Sequence, residues 1–303
     1  MAVLSFLCRS ATCGRDCFQN ILSFRLVFNF QVKPKFLAYY SIRCCSTRNS
    51  ASHDASLSSE EKDNGDEILY PGYIHTSLFQ KVLLGVGSAA VALTNPHRGD
   101  MVAVMGETTG MMALPQIKQK MEADSEGQDI LRERPRINSK TVNIEKLKKF
   151  PQDTLGHAYY RFLTENGVSP DSRLPVQFVD DRNLAYVMQR YREVHDLVHT
   201  ILGMPTNMQG EVAVKWVEAI QTGLPMCVGA AVFGPIRFKK GQRQQYTSTY
   251  LPWAIRCGFK SKFLMNIYFE RRWEQPLDEL RTEFNIEAPP SIPKTLKKAQ
   301  IIS

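Results

Sequence analysis

The sequence has few cysteines outside its first fifty residues, and this excludes two kinds of site. Five of the seven cysteines lie within residues 1–50, which leaves only Cys227 and Cys257 farther along the chain. Neither of these two belongs to a CxxC pair. We therefore expect no disulfide framework and no cysteine-based zinc site, and a reducing compartment suits this composition.

Phosphate-binding loops and membrane spans are missing as well. Segment 99–117 contains glycines, but it has neither GxxxxGK[ST] nor GxGxxG spacing. The segment closest to a membrane span is 78–94, with twelve uncharged residues from Val82 to Leu93. Since a membrane-spanning helix needs about 20 apolar residues, we expect a core or interface helix here and no transmembrane helix.

Acidic residues are almost absent from residues 1–50, which contain seven basic side chains, one acidic side chain and many bulky apolar ones. The rest of the chain carries 31 basic and 29 acidic residues, so most of the net charge of +8 lies in this segment. Such a composition predicts a mitochondrial transit peptide, cleaved shortly after Arg43 to Arg48, although a retained basic arm would have the same pattern. Because the charge is concentrated there, the high pI does not indicate nucleic-acid binding.

The remaining sequence predicts an all-α protein, because hydrophobic patterns of period two are scarce. After the disordered targeting segment, residues 51–69 are polar and acidic and predict a linker. A single, mostly helical domain is expected at residues 70–290, and a C-terminal tail at residues 291–303.

Two consecutive helices have the strongest sequence signals. The first is expected at 181–203, with Asp180 or Asp181 as its N-cap and Gly203 at its end. The second is expected at 208–223, directly after an asparagine that can cap it. The turn between them is short, so the second helix folds back beside the first.

These two helices carry a candidate metal site of four residues: His195, Asp196, His199 and Glu211. On a helical wheel of about 100° per residue, His195 lies within the apolar stripe, His199 is about 40° away, and Asp196 marks the edge at about 100°. Histidines at i and i+4 suit two ligands of one metal, and buried polar groups need partners. The alternatives are a packed histidine pair and a Glu211 that only stabilises the start of its helix.

The pattern His195-Asp196-x-x-His199, followed after eleven residues by Glu211, resembles the metal motif of a family of mitochondrial coenzyme Q (ubiquinone) biosynthesis proteins, number four of that pathway. The surrounding sequence resembles the family too, in YPGYIHTSLFQKVLLGVGSAAVAL, PHRGDMVAVMGETTG, ILRERPRI, GMPTNMQGEVAVKWVEAIQTGLPM and AVFGP. The resemblance covers residues 70–287, and all four metal positions match.

This resemblance implies a fold, a place and a reaction. It implies an all-α domain that associates peripherally with the matrix side of the inner membrane, within a multiprotein coenzyme Q assembly. It implies a lyase that removes the C1 carboxylate from 4-hydroxy-3-methoxy-5-polyprenylbenzoate, with Zn²⁺ bound by His195, Asp196, His199 and Glu211. Two histidines with carboxylates also suit Fe²⁺, which would support decarboxylation with hydroxylation of C1. If one carboxylate stays free of the metal, Asp196 or Glu211 could serve catalysis by moving the proton.

Two other functions remain open at this level. A non-catalytic scaffold that binds polyprenyl lipids would use the metal only for structure. A phosphohydrolase of the HD type would share the His195-Asp196 doublet, but it also expects an earlier histidine and a later aspartate.

The expected partners are polyprenylated benzoate and quinone intermediates, other coenzyme Q biosynthesis proteins, the inner membrane surface and a second copy of the chain. A polyprenyl tail needs an apolar channel, for which the candidates are Leu184, Met188, Tyr191, Leu202 and the helix from Val82 to Leu93. Residues 237–262 combine seven basic side chains with aromatic ones and have no acidic residue. This segment could contact anionic lipid or an acidic protein, or form a solvated face.

Overall fold

The structure, a computed structural model, describes residues 69–95 and 98–290, and these residues contain helices and no strand. The predicted transit peptide, the linker up to residue 68 and the C-terminal tail lie outside the described residues. The all-α prediction is confirmed. The α-helices of the described residues are α1 (Leu78–Thr94), α2 (Gly99–Thr109), α3 (Ala113–Glu122), α4 (Ser125–Glu133), α5 (Ile144–Leu147), α6 (Leu155–Asn166), α7 (Arg182–Leu202), α8 (Met208–Thr222), α9 (Pro225–Phe233), α10 (Lys240–Gln245), α11 (Leu251–Lys260) and α12 (Leu277–Glu283).

Short helical turns of other types complete the chain path. The segment between α10 and α11 is a π-helical turn, Tyr246–Tyr250. The 3-10 turns of the described residues are Gly110–Met112, Pro170–Ser172, Gly234–Arg237, Leu264–Asn266 and Phe269–Arg271.

Helix α7 lies at the centre of the domain. Asp181 caps it, because its carboxylate accepts hydrogen bonds from the backbone N–H groups of Asn183 and Leu184, each at 2.8 Å. The helix ends at Gly203, whose φ of 64° requires the left-handed conformation that glycine tolerates. Every side chain from Ala185 to Leu202 is buried, including the polar ones. The helix therefore brings ionisable groups into the interior on all sides.

Buried charges on α7 are paired with residues of other elements. The guanidinium of Arg192 donates to Glu107 of α2 at 2.6 Å, and both side chains are at most 8% exposed. The fully buried Arg190 donates to Glu270 at 2.5 Å. Since an unpaired buried charge would be costly, these pairs fix the rotation of α7 about its axis.

The turn between α7 and α8 places the start of α8 against α7. The side chain of Asn207 caps α8 by accepting a hydrogen bond from Gly210 N–H at 3.0 Å. Gly210 packs so tightly against the carbonyl of Pro205 that a Cβ atom would collide with it. A glycine at this position therefore permits the close turn that returns Glu211 towards α7.

Helix α1 turns its apolar side outward. Its inner side carries Lys81, Gly85 and Ser88, all buried, and Lys81 forms an ion pair with Asp180. Its outer side is between 55% and 76% exposed at six apolar residues, namely Leu78, Phe79, Val82, Leu83, Val86 and Leu93. Of the two predictions for this segment, a core helix is therefore wrong, and an interface helix remains. Within the described residues, no helix has the length and apolarity needed to cross a membrane.

Candidate metal centre

Three of the four predicted ligands come together. His195 and His199 lie one turn apart on α7, with their ring centroids 4.8 Å apart and edge to face. Glu211, in the first turn of α8, lies opposite: its carboxylate oxygens are 3.6 Å from His195 Nε2 and 3.4 Å from His199 Nε2. One ligand atom from each residue can be chosen so that all three lie within 4.8 Å of one another.

The histidine protons are fixed on the far side of each ring. His199 Nδ1 lies 3.1 Å from the carbonyl oxygen of Met204, which can only accept, so Nδ1 donates the proton. His195 Nδ1 lies 2.7 Å from Glu218 Oε1, also an acceptor. The Nζ of Lys215 is 3.4 Å from the same nitrogen, and the shorter contact to Glu218 decides the direction. Both rings therefore turn the lone pair of Nε2 towards Glu211.

When both rings are neutral, two imidazole lone pairs and one carboxylate therefore face one another, and none of the three groups offers a hydrogen-bond donor. His199 Nε2 is buried and has no hydrogen-bond partner among the described residues. Such a convergence of acceptors is relieved by a cation, either a proton on one ring or a metal ion. Because these are also the atoms that metals prefer in proteins, the centre fits a divalent metal.

The pKa values of Glu211 and His195 reflect the charges that surround them in the cluster. Burial raises the pKa of Glu211, but the facing rings of His195 and His199 more than offset this and hold it far below its usual range. Burial and Lys215 lower the pKa of His195, whereas Glu218 and Glu211 raise it, and the net result is a raised pKa. Glu211 is therefore ionised, and metal binding competes with protonation of His195.

A buried network behind His195 keeps Glu218 ionised. Burial raises the pKa of Glu218, but Lys215 and His195 outweigh this and hold it well below its usual range. Lys215 donates to Glu218 Oε2 at 2.7 Å, and the hydroxyl of Tyr191 donates to the same oxygen at 2.6 Å. Carboxylates that accept from the outer nitrogen of a histidine ligand orient the ring and strengthen it as a ligand.

Sequence reasoning missed Glu218, although a signal for it exists. Glu218 lies seven residues after Glu211 on α8, which is two helical turns, so both carboxylates share one face of that helix. Lys215 lies on the same face, four residues after Glu211. Tyr191, expected among apolar residues of a channel, instead donates to Glu218, while Met188 and Leu202 are fully buried in the core.

Asp196, the fourth predicted ligand, is not part of the cluster. Its Oδ1 lies 2.5 Å from Nη2 of Arg173, which precedes α7, and the Asp196 side chain is only 6% exposed. The reason is geometric: adjacent residues of a helix point about 100° apart, so Asp196 cannot follow His195 towards Glu211. The cluster brought together by the structure is therefore two histidines and one carboxylate.

A donor set of two histidines and one carboxylate suits two metals. Zinc in catalytic sites takes three protein ligands and keeps a fourth position open. Ferrous iron takes the same set on one face of its coordination sphere in non-haem oxygenases. His195, His199 and Glu211 satisfy both descriptions, so the ligands alone do not choose between the two.

Comparison with known proteins identifies a family for this chain. The family model for the coenzyme Q (ubiquinone) biosynthesis protein Coq4 matches residues 70–290. The chain belongs to the Coq4 family. The resemblance inferred from the metal motif is confirmed, and membership places the chain in ubiquinone biosynthesis.

Curated relatives support the assignment over most of their length. Proteins named mitochondrial ubiquinone biosynthesis protein COQ4 homologues are 55% identical in Rattus norvegicus over 227 residues, 56% in Danio rerio over 231 residues and 52% in Homo sapiens over 236 residues. These matches cover 75%, 76% and 78% of this chain and 86%, 84% and 89% of the relatives, respectively.

A crystal structure from Nostoc punctiforme, whose name refers to ubiquinone biosynthesis, has a similar fold. It superposes with a TM-score of 0.56 at 20% identity, over 68% of this chain and 99% of its own. At that identity the likeness concerns the fold alone, and it supports the helical arrangement described above.

Replacing Glu218 with glutamine tests the orienting role of this residue. Glu218→Gln keeps the size of the side chain but removes the charge that holds the Nδ1 proton of His195. We expect zinc affinity, measured by competition with a chromogenic chelator, to fall by about 10- to 100-fold. Glu165→Gln, at an exposed position on α6, is the matched control. Equal zinc affinity in the two variants would contradict the role.

Proposed function

We propose that this Coq4 protein is a metal-dependent lyase that removes the C1 carboxylate of 4-hydroxy-3-methoxy-5-polyprenylbenzoate. The observation that supports this most is the convergence of His195, His199 and Glu211, whose ligand atoms lie within 4.8 Å of one another. Family membership in ubiquinone biosynthesis supports the choice of substrate.

The reaction requires the bond between C1 and the carboxylate carbon to break. The ring keeps the bonding electron pair, CO₂ leaves, and a proton takes its place on C1. When bound, a zinc or ferrous ion would supply positive charge that stabilises the negative charge developing on the substrate. The oxidative form would leave a hydroxyl on C1 and would consume dioxygen and a two-electron reductant.

His195, His199 and Glu211 are the proposed ligands, and Glu211 is the carboxylate that faces both rings. Its side chain is 36% exposed, whereas that of Asp196 is 6% exposed and paired with Arg173. Because the pKa of Glu211 lies far below its usual range and Asp196 is paired with Arg173, the proton transfer to C1 is assigned to neither carboxylate. Asp196 is proposed instead to hold Arg173.

A decarboxylation assay tests this function. The purified protein is stripped of metal, reloaded with zinc or iron, and given the prenylated benzoate with a reductant, with and without dioxygen. We expect metal-dependent release of CO₂ that Glu211→Gln lowers by at least about 100-fold, since this variant loses the anionic ligand of the metal.

The matched control for this assay is Glu122→Gln, at an exposed position on α3. A hydroxyl on C1 of the product that appears only with dioxygen identifies the oxidative form of the reaction, and a product without it identifies the simple decarboxylation. Tight binding of prenylated rings without any release of CO₂ would contradict the lyase and would support the scaffold that binds polyprenyl lipids.

We also propose a peripheral position on the matrix side of the inner membrane, and the outward apolar face of α1 supports contact with a membrane surface. This face carries six exposed apolar residues, and the one charged residue of α1, Lys81, is buried on the inner side. At the C-terminal end of α1, Arg237 donates to the carbonyl of Leu93, next to the exposed apolar Ile236. The exposed Lys239 and Lys240 follow. Apolar residues beside basic ones suit insertion at the surface of an anionic bilayer.

Two glutamates on α1 test this contact. We expect Leu83→Glu with Val86→Glu to abolish co-flotation with anionic phospholipid vesicles, because the two charges would have to enter the apolar layer. Gln116→Glu with Gln119→Glu, two exposed positions on α3, adds the same charge elsewhere and serves as the control.

In this experiment, the molecular mass of the protein in solution distinguishes contact of α1 with the membrane from contact of α1 with a protein partner. If the α1 variant keeps its vesicle binding but changes from dimer to monomer, the face binds a second copy of the chain. If it keeps vesicle binding and mass but no longer joins the other ubiquinone biosynthesis proteins, the face belongs to the complex. Either result would contradict the membrane contact.

A further inference from the structure

The turn that joins α7 to α8 takes part in the proposed metal centre. It consists of residues 203–207 and separates the ligand His199, on α7, from the ligand Glu211, on α8. At the end of α7 the backbone N–H of Met204 donates to the carbonyl of His199 at 3.0 Å, as in a Schellman motif. The carbonyl of Met204 in turn accepts from Nδ1 of the same histidine, 3.1 Å away. His199 and Met204 are therefore joined twice, and the position of the turn decides where the Nδ1 proton is held.

The other end of the turn leaves little freedom to Glu211. The backbone N–H of Glu211 donates to the carbonyl of Asn207, the last residue of the turn, at 2.9 Å. Gly210, just before Glu211, packs on the carbonyl of Pro205 with no room for a Cβ atom. A shift of the turn would therefore move Glu211 as well as the carbonyl of Met204, so both ligands depend on the contact that holds the turn.

Helix α6 holds the turn through a side-chain hydrogen bond. The hydroxyl of Thr206 donates to Oδ1 of Asn166, the last residue of α6, at 2.6 Å. Nδ2 of Asn166 donates to the carbonyl of Phe162 at 2.7 Å, which fixes the orientation of the amide. In the part of the chain that the structure describes, Thr206 is the residue of the turn whose side chain hydrogen-bonds to another helix, since that of Asn207 caps α8. This bond ties the turn to α6.

The same helix also packs on the ring of His199. Phe162 lies one helical turn before Asn166, and its ring centroid is 5.7 Å from that of His199, with the planes at 34°. Both side chains are buried. Helix α6 thus contacts the ring of the ligand and, through Thr206, the turn that supplies the acceptor for its proton. Because one helix makes both contacts, the acceptor is fixed relative to the ring.

We propose that Thr206 and Asn166 are positioning residues of the metal centre, which act through the turn on the carbonyl of Met204 and so on the ring of His199. A group that fixes the acceptor behind a histidine ligand fixes the orientation of the ring and its tautomer. This inference rests on the proposed function to the extent that His199 and Glu211 bind a metal. It does not depend on which reaction the metal serves.

Removal of the Thr206 hydroxyl tests this role by the affinity for zinc. Thr206→Val keeps the shape of the side chain but cannot donate to Asn166. We expect its zinc affinity, measured by competition with a chromogenic chelator, to fall by about 10-fold, the lower end of the loss caused by removing a group behind a metal ligand. Asn166→Ala removes the acceptor and should lower the affinity to the same extent. Thr206→Ser keeps the hydroxyl and should keep the affinity.

A double variant and a matched control make this result specific. If the hydrogen bond is the cause, Thr206→Val combined with Asn166→Ala lowers the zinc affinity no further than either change alone. The control is Thr164→Val, which removes the hydroxyl of an exposed threonine two residues before Asn166. That hydroxyl donates to the carbonyl of Tyr160 within α6, so we expect the control to keep the wild-type affinity.

Cobalt in place of zinc gives a measurement that is specific to His199. The paramagnetic ion shifts the proton NMR signals of the Nδ1 protons of bound histidines, so the exchange of each proton with solvent can be timed. We expect Thr206→Val to speed exchange at His199 by about 10-fold, because the acceptor is no longer held in place. Exchange at His195, whose proton is held by Glu218, should stay unchanged.

The positioning role and the metal centre can fail separately. Equal zinc affinity in Thr206→Val and Thr164→Val, additive losses in the double variant, loss of affinity in Thr206→Ser, or equally faster exchange at both histidines would overturn the role of Thr206 and Asn166. Should Thr206→Val fail to fold, Asn166→Ala and Thr206→Ser decide the question by the same measurements. A wild-type protein that binds cobalt without shifted Nδ1 signals would overturn the metal centre itself. The predicted changes in affinity and exchange, without release of CO₂, would keep the positioning role and overturn the lyase.

Discussion

The hydrogen bonds that fix the outer protons of His195 and His199 govern the rest of the site. Glu218 accepts from His195 Nδ1 and the carbonyl of Met204 accepts from His199 Nδ1, so both Nε2 lone pairs face Glu211. Acceptors that face one another in a buried place need a cation between them. The arrangement therefore forms a cation site before any metal binds, and the buried Lys215 keeps Glu218 ionised.

The sequence predicted the positions of those cluster residues that lie on one helix or directly follow one short turn. The spacing of His195 and His199 and the short turn before Glu211 are local properties, and so is the cap at Asp181. Asp196 lies outside the cluster because neighbours in sequence point about 100° apart on a helix. Glu218 and Arg173 were missed since their contacts with α7 are set by tertiary packing. The apolar pattern of α1 revealed its helix but not which side faces outward.

The site separates two kinds of chemistry within a few residues of α7. His195 and His199 offer acceptors to a metal, while Asp196 forms an ion pair with Arg173. A prenylated hydroxybenzoate combines an anionic group with a long apolar tail. Such tails reside in membranes. The exposed apolar face of α1 suits contact with a membrane surface, where the proposed enzyme would meet its substrate.

X-ray absorption spectroscopy of the zinc-loaded protein tests the central claim most directly, because it reports the ligands of the metal itself. Our account predicts one zinc per chain, with two imidazole nitrogens and carboxylate oxygen at about 2.0–2.2 Å and no sulfur. The spectrum should be unchanged in Asp196→Asn, which lies outside the cluster. A zinc with fewer than two imidazoles, or one that Asp196→Asn removes, would contradict the account.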